Sequence, residues 1–302
     1  MKNSEWPLNQ FHHVHLAAQD IRIPESILTP IGIPIAGYNH PGKFQVMEGM
    51  ELDEFWARDY KFCRVGDVHF QFMSPNLPGD YRNFLDEHNN RVNSIGFVVD
   101  DVEKAEEELL SRGLKVKIRA RHDDGWGFTY FDTLDLVGAL MTVRQSARGE
   151  NLTEENTSTG HFSNMGEIQF VVNNLPKVEA AFEKTGITFT EDAGYKDVAD
   201  VRGISAAAFD KMTSKIAVSG GMRIRLTSSG ETDSPIGSFG AAFSKRPFSL
   251  GFTVDDLATA EKFASENGLT TLFKVEKPDG SGVCTFDTLK QIGINLAIHK
   301  VA

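Results

Sequence analysis

The chain has 302 residues, of which 40% are hydrophobic, and its formal net charge is −11. This length is enough for two domains with hydrophobic cores of ordinary size. The negative charge and the absence of strongly basic stretches argue against a nucleic-acid partner, because binding to phosphate backbones needs clustered Lys and Arg.

The N-terminal residues, MKNSEWPLNQ, lack the apolar stretch of a signal peptide, and no run of the sequence is long enough for a membrane span. Two cysteines, Cys63 and Cys284, are too few for a disulfide framework, and we expect both to be small buried residues. These features predict a soluble cytoplasmic protein with reduced cysteines.

The first predicted strand lies in the sequence FHHVHLAAQD, which begins at Phe11. Side chains alternate between the two faces of a strand, so His13 and His15 share one face and His12 points to the other. Next, Pro24 and Pro30 interrupt a short segment that we expect to form only one turn of helix. A β-like run, DVHFQFMSP, follows.

The pattern then restarts with a strand, SIGFVV, and a helix predicted over 101–112 that ends at Gly113. Two further strands, GFTYFDT and GALMTV, complete this unit. In the second half of the chain, Asn174 and Pro176 open a similar helix. The predicted order is therefore βαβββ, repeated four times.

An internal repeat organises the whole chain. The sequence GFVVDDVEKAEEELLSRGL begins at Gly96, and GFTVDDLATAEKFASENGL begins at Gly251, 155 residues later. The same spacing relates two FDTL sequences. Earlier in the chain the spacing is 154 residues, where HHVHLAAQD matches GEIQFVVNN. We infer a tandem duplication with domains over 1–146 and 162–302, joined by a polar linker over 147–161.

Four βαβββ modules carrying FHHVHLAAQD, HFQFMSP, IGFVVDDVEKAEEELLSRGL and FDTLDLVGALMTV resemble a tandem pair of vicinal oxygen chelate domains. This superfamily contains glyoxalases, bleomycin-resistance proteins and extradiol dioxygenases, and the first half is most similar to methylmalonyl-CoA epimerase. The resemblance implies an α+β fold with two cupped mixed β-sheet cradles. It also implies that any metal lies on the inner face of a cradle.

The resemblance assigns four metal-ligand positions to each cradle. In the first half they fall on His13, Gln71, Ser94 and Thr142, where the family has His, Gln or a similar donor, His and Glu. In the second half they fall on Glu167, Arg225, Ser249 and Ala297. We expect the second half to be metal-free, because an Arg in the cradle repels a cation.

Two further histidines can compensate for the missing ligands of the first half. His15 and His69 lie two residues from His13 and Gln71, so the strand period predicts one patch of four side chains. Such a patch can hold Zn²⁺, Fe²⁺, Mn²⁺ or Co²⁺, since imidazole selects weakly among these ions. The alternative is a cradle without metal, in which the histidines line a polar pocket.

Proton abstraction next to a carbonyl, as in the family's epimerases, needs a base. The family's last-strand Glu is replaced here, so the candidates are Glu48, Glu51 and above all Glu54, or the inner histidines His15 and His69. A solvated acidic loop is the alternative interpretation of the three glutamates. His122, in a loop near the mouth of the cradle, is a further metal candidate or a solvated side chain.

Aromatic residues near the same cradle predict a pocket for a small organic ligand. Trp126 is the main candidate for ligand contact, because glycines flank it and make its loop mobile. Trp56, Tyr130 and Asn93 are further candidate substrate-binding residues, although most aromatic side chains belong to hydrophobic cores.

Three functions remain open. The first is a metal-dependent epimerase, isomerase or lyase that acts on a small carbonyl or carboxylate compound, as a monomer or homodimer. The second is a metal-free binding protein of the bleomycin-resistance type. The third is an extradiol dioxygenase, for which the second half lacks the needed histidines at Glu167, Ser249 and Ala297.

Overall fold

The structure, a computed structural model, describes residues 8, 10–37, 44, 46–122, 126–145, 157–192, 198, 200–230, 233–243 and 245–301. Within these residues, each half of the chain forms one mixed sheet of nine strands with helices. The predicted α+β fold with four βαβββ units is confirmed. None of the helices described is long and apolar enough to span a membrane.

The strands of the first half are β1 (Gln10–Ala17), β2 (Ala36–Gly37), β3 (Val46–Glu48), β4 (Asp59–Val65), β5 (Val68–Ser74), β6 (Arg91–Val98), β7 (Val116–Arg121), β8 (Gly127–Phe131) and β9 (Leu140–Arg144). The helices are α1 (Arg22–Leu28), α2 (Leu52–Trp56), α3 (Asp80–His88), α4 (Val102–Ser111) and α5 (Leu134–Val137). In the sheet the strands follow the order β2-β4-β5-β1-β6-β9-β8-β7-β3.

The strands of the second half are β10 (Met165–Val172), β11 (Thr190–Glu191), β12 (Asp200–Arg202), β13 (Thr213–Ser219), β14 (Met222–Ser228), β15 (Lys245–Thr253), β16 (Thr271–Glu276), β17 (Gly282–Phe286) and β18 (Asn295–Lys300). The helices are α6 (Leu175–Glu183), α7 (Ala206–Asp210), α8 (Pro235–Phe243), α9 (Leu257–Glu266) and α10 (Leu289–Ile292). The sheet order, β11-β13-β14-β10-β15-β18-β17-β16-β12, repeats that of the first half.

The predicted helix starts are observed, and capping side chains explain them. Asp101 accepts hydrogen bonds from the backbone N–H groups of Glu103 and Lys104 at the start of α4. Asn174 accepts one from the Lys177 N–H at the start of α6. Each cap satisfies N–H groups that have no partner inside the helix.

Helix α1 is longer than the single turn predicted from its prolines. Pro24 lies in the first turn of this seven-residue helix, where a missing N–H breaks no helical hydrogen bond. Pro30 lies in a 3₁₀ turn, Thr29–Ile31, that follows directly. Pro24 is therefore compatible with the start of α1, and Pro30 lies where the α-helix has already ended.

One large hydrophobic core joins residues of both halves. Phe11 and Phe72 of the first sheet belong to it together with Phe252 and Phe286 of the second. The opposite, inner faces of the sheets carry separate and smaller hydrophobic clusters. The common core therefore covers one face of each sheet, and the opposite face lines the cradle.

The end of the predicted linker lies against the first half. Residues 146–156 are outside the described part of the chain. The Ser158 N–H donates to the Arg64 carbonyl, and the Thr159 N–H donates to the Gly32 carbonyl, both at 2.8 Å.

The two halves also meet at matching places. Gly138 follows α5 with a φ of +88°, and Gly293 follows α10 with a φ of +86°. A Cβ atom on Gly138 would lie 2.6 Å from the Lys245 carbonyl oxygen. One on Gly293 would lie 2.4 Å from the carbonyl carbon of Asn90. Glycine at both positions therefore allows backbone of one half to approach backbone of the other.

We predict that Gly293→Ala destabilises the protein more than Gly113→Ala, as measured by urea unfolding. Both glycines end a helix with positive φ, so each alanine costs about 1–2 kcal/mol in backbone strain. A Cβ atom on Gly113 meets nothing within 4 Å, whereas one on Gly293 meets the other half, which adds about 1–3 kcal/mol. Equal losses would contradict a close contact between the halves.

Candidate functional site in the first cradle

Strand β1 lies at the centre of the first sheet and carries the histidines. It pairs in parallel with β5, so that His13 is level with His69 and His15 is level with Gln71. Partners at the same level of neighbouring strands point to the same face. The structure therefore brings together on one inner face the four side chains that the sequence grouped.

On its other side, β1 runs antiparallel to β6. His15 is opposite Ser94, and His13 is opposite Gly96, which is in turn level with Thr142 of β9. A Cβ atom on Gly96 would lie 1.9 Å from Cε1 of His13, so the imidazole occupies the space over this glycine. Ser94 and Thr142, the other two metal-ligand positions that the resemblance assigns, thus lie beside the histidines.

His12 does not point away from this face, contrary to the prediction from strand alternation. The pairing of β1 with β6 shifts register between Phe11 and His13. Nδ1 of His12 lies 2.9 Å from Nδ1 of His13, and its ring centroid lies 4.3 Å from that of His69. The prediction was wrong because a β-bulge adds a residue and breaks the period of two.

The four histidines are buried and uncharged. Burial and the charge of Arg144 lower the pKa of His12 and of His13 well below the usual value. Burial, with a contribution from Arg58, lowers the pKa of His15 to about 3. Burial lowers the pKa of His69 to about 4. At neutral pH each ring therefore offers one hydrogen-bond donor and one acceptor.

Several buried polar atoms of this cradle have no hydrogen-bond partner. They are His13 Nε2, both ring nitrogens of His15, Asn93 Oδ1, Ser94 Oγ and Thr142 Oγ1. Most buried polar groups in proteins are paired, and an unpaired one costs about 1–3 kcal/mol. Those of His13, His15, Ser94 and Thr142 share one face of the sheet, which indicates a surface suited to a polar molecule.

Tyrosine side chains border this face. The His15 ring centroid lies 5.9 Å from that of Tyr60 and 6.5 Å from that of Tyr81. Arg58 donates a 2.8 Å hydrogen bond to the Tyr81 hydroxyl, and burial raises the pKa of that phenol. Tyr81 is therefore a neutral side chain beside His15.

The predicted substrate-binding aromatics form a stacked wall. Phe44 stacks on Trp126 at 5.0 Å between ring centroids and on Trp56 at 5.6 Å. Trp126 is buried, whereas Trp56 is 38% exposed. Tyr130 is buried on β8, level with Thr142. Residues 123–125, which include the glycine predicted to make this loop mobile, are outside the described part.

Glu54 has a clear structural contact. Its buried carboxylate accepts a 2.9 Å hydrogen bond from the Tyr81 N–H at the start of α3. A Cβ atom on Gly79 would lie 2.2 Å from Oε2 of this carboxylate, so glycine makes room for it. Glu54 therefore lies beside a helix start, where a negative charge is favourable.

The other acidic candidates lie at the edge of the cradle. Glu48 forms a 2.5 Å ion pair with Arg119. Glu51 and Glu54 line a cavity of about 560 Å³ together with Met47, Met50 and Asp80. His122 lies near Trp126, with 6.2 Å between the ring centroids.

The matching face of the second half is closed by its own side chains. Glu167 forms a paired contact with Arg225, at 2.9 Å to Nε and 3.0 Å to Nη2. Gln169 donates to Thr227 at 2.8 Å and accepts from Ser249 at 3.1 Å. Glu167, Arg225, Gln169 and Ser249 occupy the positions of His13, Gln71, His15 and Ser94. The second cradle therefore pairs the positions that match His13, His15 and Ser94, whereas Thr285 Oγ1 and His299 Nε2 on the same face have no hydrogen-bond partner.

The first cradle does not fit a divalent metal as its residues stand. Among the described residues, no group of three or more His, Cys, Asp or Glu side chains could hold an ion. Ser94 and Thr142 supply hydroxyls where imidazole and carboxylate are needed. Arg144 also acts on His12, His13 and His69, and its positive charge opposes a cation.

Comparisons with known proteins identify the fold. No family model matches the sequence, and no curated protein matches it. A triple mutant of 4-hydroxymandelate synthase from Streptomyces coelicolor has a similar structure, with a TM-score of 0.67 and 12% sequence identity. The similarity covers 97% of this chain and 93% of that one.

A fusion of a xylose isomerase-like TIM barrel with 4-hydroxyphenylpyruvate dioxygenase is also similar, with a TM-score of 0.58 and 12% identity. The similarity covers 97% of this chain and 49% of the fusion, so this chain spans about half of that protein. Together with the two nine-stranded sheets, these likenesses show that the chain has the tandem vicinal oxygen chelate fold.

Proposed function

We propose that the first cradle binds a small organic molecule with a carboxylate group, and does so without a resident metal. The observation that carries this proposal is the set of unpartnered buried atoms on His13, His15, Asn93, Ser94 and Thr142. In the duplicated second half, the positions that match His13, His15 and Ser94 are paired with each other or with neighbours. Because the two halves share one fold, unpartnered atoms at these positions in the first half alone indicate a ligand-binding surface there.

The charges around the cradle favour an anion. The charged side chains that lower the pKa of His12, His13, His15 and His69 are the arginines Arg58, Arg64 and Arg144. A carboxylate gains from a positive field in a buried site, where water screens little. Neutral imidazoles and hydroxyls then supply the hydrogen bonds that orient it.

Catalysis in this site is acid–base chemistry by His15 or His69. A base works best when its pKa lies near the working pH, and the pKa of His15, about 3, is far below it. A bound carboxylate beside the ring stabilises the imidazolium and raises that pKa. The ligand itself therefore brings the histidine toward the range in which it abstracts a proton next to a carbonyl.

A second candidate is a metal-dependent enzyme with Zn²⁺, Fe²⁺, Mn²⁺ or Co²⁺. The fold it shares with 4-hydroxymandelate synthase and with the dioxygenase fusion favours this candidate. So does the 2.9 Å separation of His12 Nδ1 and His13 Nδ1, which suits either one hydrogen bond or two nitrogens on one ion.

The test of the first proposal uses matched serines at equivalent positions of the two halves. Ser94→Ala removes a hydroxyl without a partner, so we expect little change in the unfolding free energy and about 2- to 10-fold weaker ligand binding. Ser249→Ala removes a hydrogen bond to Gln169, so we expect a loss of about 1 kcal/mol and unchanged affinity.

Ligands are found with a panel of small 2-oxo and aromatic carboxylic acids, by thermal unfolding at fixed ionic strength and then by calorimetry. The proposal fails if no acid binds, or if Ser94→Ala leaves the affinity of the acids that bind unchanged.

Metal analysis separates the two candidates. We expect the protein purified without a histidine tag to hold no stoichiometric ion, and Zn²⁺, Mn²⁺, Co²⁺ and anaerobic Fe²⁺ to bind wild type and His13→Ala equally weakly. The reason is the missing third donor and the nearby arginine charge. One ion per chain that is lost in His13→Ala would establish the metal-dependent enzyme instead.

A further inference from the structure

Two arginines lie buried at matching positions where the halves meet. Arg91 begins β6 and Arg246 lies near the start of β15, 155 residues later. They are 8% and 5% exposed. Arg91 is also next to Asn90, whose backbone contacts Gly293 of the other half.

Each guanidinium has only part of its donors in use. Arg91 Nη2 donates to the Gly138 carbonyl at 2.6 Å, and Arg246 Nη2 donates to the Asn90 carbonyl at 2.8 Å. The Nε atoms of both arginines are buried and have no hydrogen-bond partner. Within the described residues, neither arginine forms an ion pair with a carboxylate.

Burying two like charges near each other is unfavourable. Burial lowers the pKa of Arg91 to about 10, and burial together with the charge of Arg91 lowers the pKa of Arg246 to about 9. Glu87 is the carboxylate whose charge acts on Arg91, and its side chain is largely exposed beside His88. The pair thus lacks the buried counter-charge that such arginines ordinarily have.

Aromatic side chains border the pair. The Arg91 guanidinium lies 5.6 Å from the Phe84 ring centroid, and that of Arg246 lies 4.7 Å from the Phe243 ring centroid. Phe243 is 41% exposed. The aromatic border of the pair therefore reaches the protein surface at Phe243.

We propose that Arg91 and Arg246 form a binding site for a small oxyanion, a carboxylate or a phosphate group, at the junction of the two halves. A guanidinium binds such groups through parallel N–H donors, and the unused Nε–H groups supply donors of this kind. The anion neutralises the like charges and bridges the halves. The site is separate from the first cradle.

The experiment measures binding of inorganic phosphate and of acetate to the full chain by calorimetry and thermal unfolding, with ionic strength held constant by chloride. We expect at least one of the two anions to bind and to raise the melting temperature. Arg91→Gln and Arg246→Gln each remove a charged donor, so the affinity falls about 10-fold or more. The anion that responds identifies the source of the oxyanion.

Two controls locate the site. Arg22→Gln removes an exposed guanidinium that pairs with Asp20, and we expect it to leave the affinity unchanged. Ser94→Ala, in the first cradle, leaves the affinity for phosphate unchanged. If a glutamine variant does not fold, Arg91→Lys and Arg246→Lys keep the charge but lose the parallel donors, and they weaken binding in the same way.

The proposal is overturned if neither anion binds, or if the affinity is the same in wild type and in the Arg91 and Arg246 variants. A loss of phosphate binding in Ser94→Ala with no change in the arginine variants also overturns it, since the anion then lies in the first cradle.

Discussion

The antiparallel pairing of β1 with β6, repeated by β10 with β15, is the contact on which both halves depend. It joins two βαβββ units into one sheet and places the first strand of each unit at its centre. His13 comes to lie over Gly96 for this reason, although the two belong to different units. Because the common core covers the other face, alternate side chains of β1 and β6 line the inner face.

The two halves share one sheet topology, but the side chains that line their cradles differ. In the second half, Glu167 and Arg225 replace the His and Gln donors and form a buried ion pair. Burial raises the pKa of Glu167, but the charges of His299 and Arg225 outweigh burial and hold it below its usual value. Residues of α7 and α8 then fill the cradle with an apolar cluster. The first half keeps neutral rings and hydroxyls without partners, which is consistent with a division between a binding copy and a structural copy.

Much of the fold follows from local sequence signals, whereas the site depends on register. The repeat, the capping Asp101 and the alternating apolar residues are sufficient to predict four βαβββ units. The period of two also groups His13 with His15. It fails for His12, because nothing in the sequence FHHVH marks where a bulge lies. The contact of Glu54 with α3 and the approach of Arg91 to the other half arise between distant segments, and no local pattern encodes them.

Strand β6 connects the two sites that we propose. Arg91 begins this strand at the junction of the halves, and Asn93 and Ser94 follow on the same strand in the first cradle. In the second half, β15 carries Arg246 and Ser249 at the same spacing. There the Ser249 hydroxyl is paired, because it donates a hydrogen bond to Gln169. In the proposed site, an oxyanion between the arginines holds the starts of β6 and β15. Of these two strands, β6 alone carries unpartnered side-chain atoms toward a cradle, on Asn93 and Ser94. Arg91 and Ser94 therefore place the two proposed sites on one strand, three residues apart.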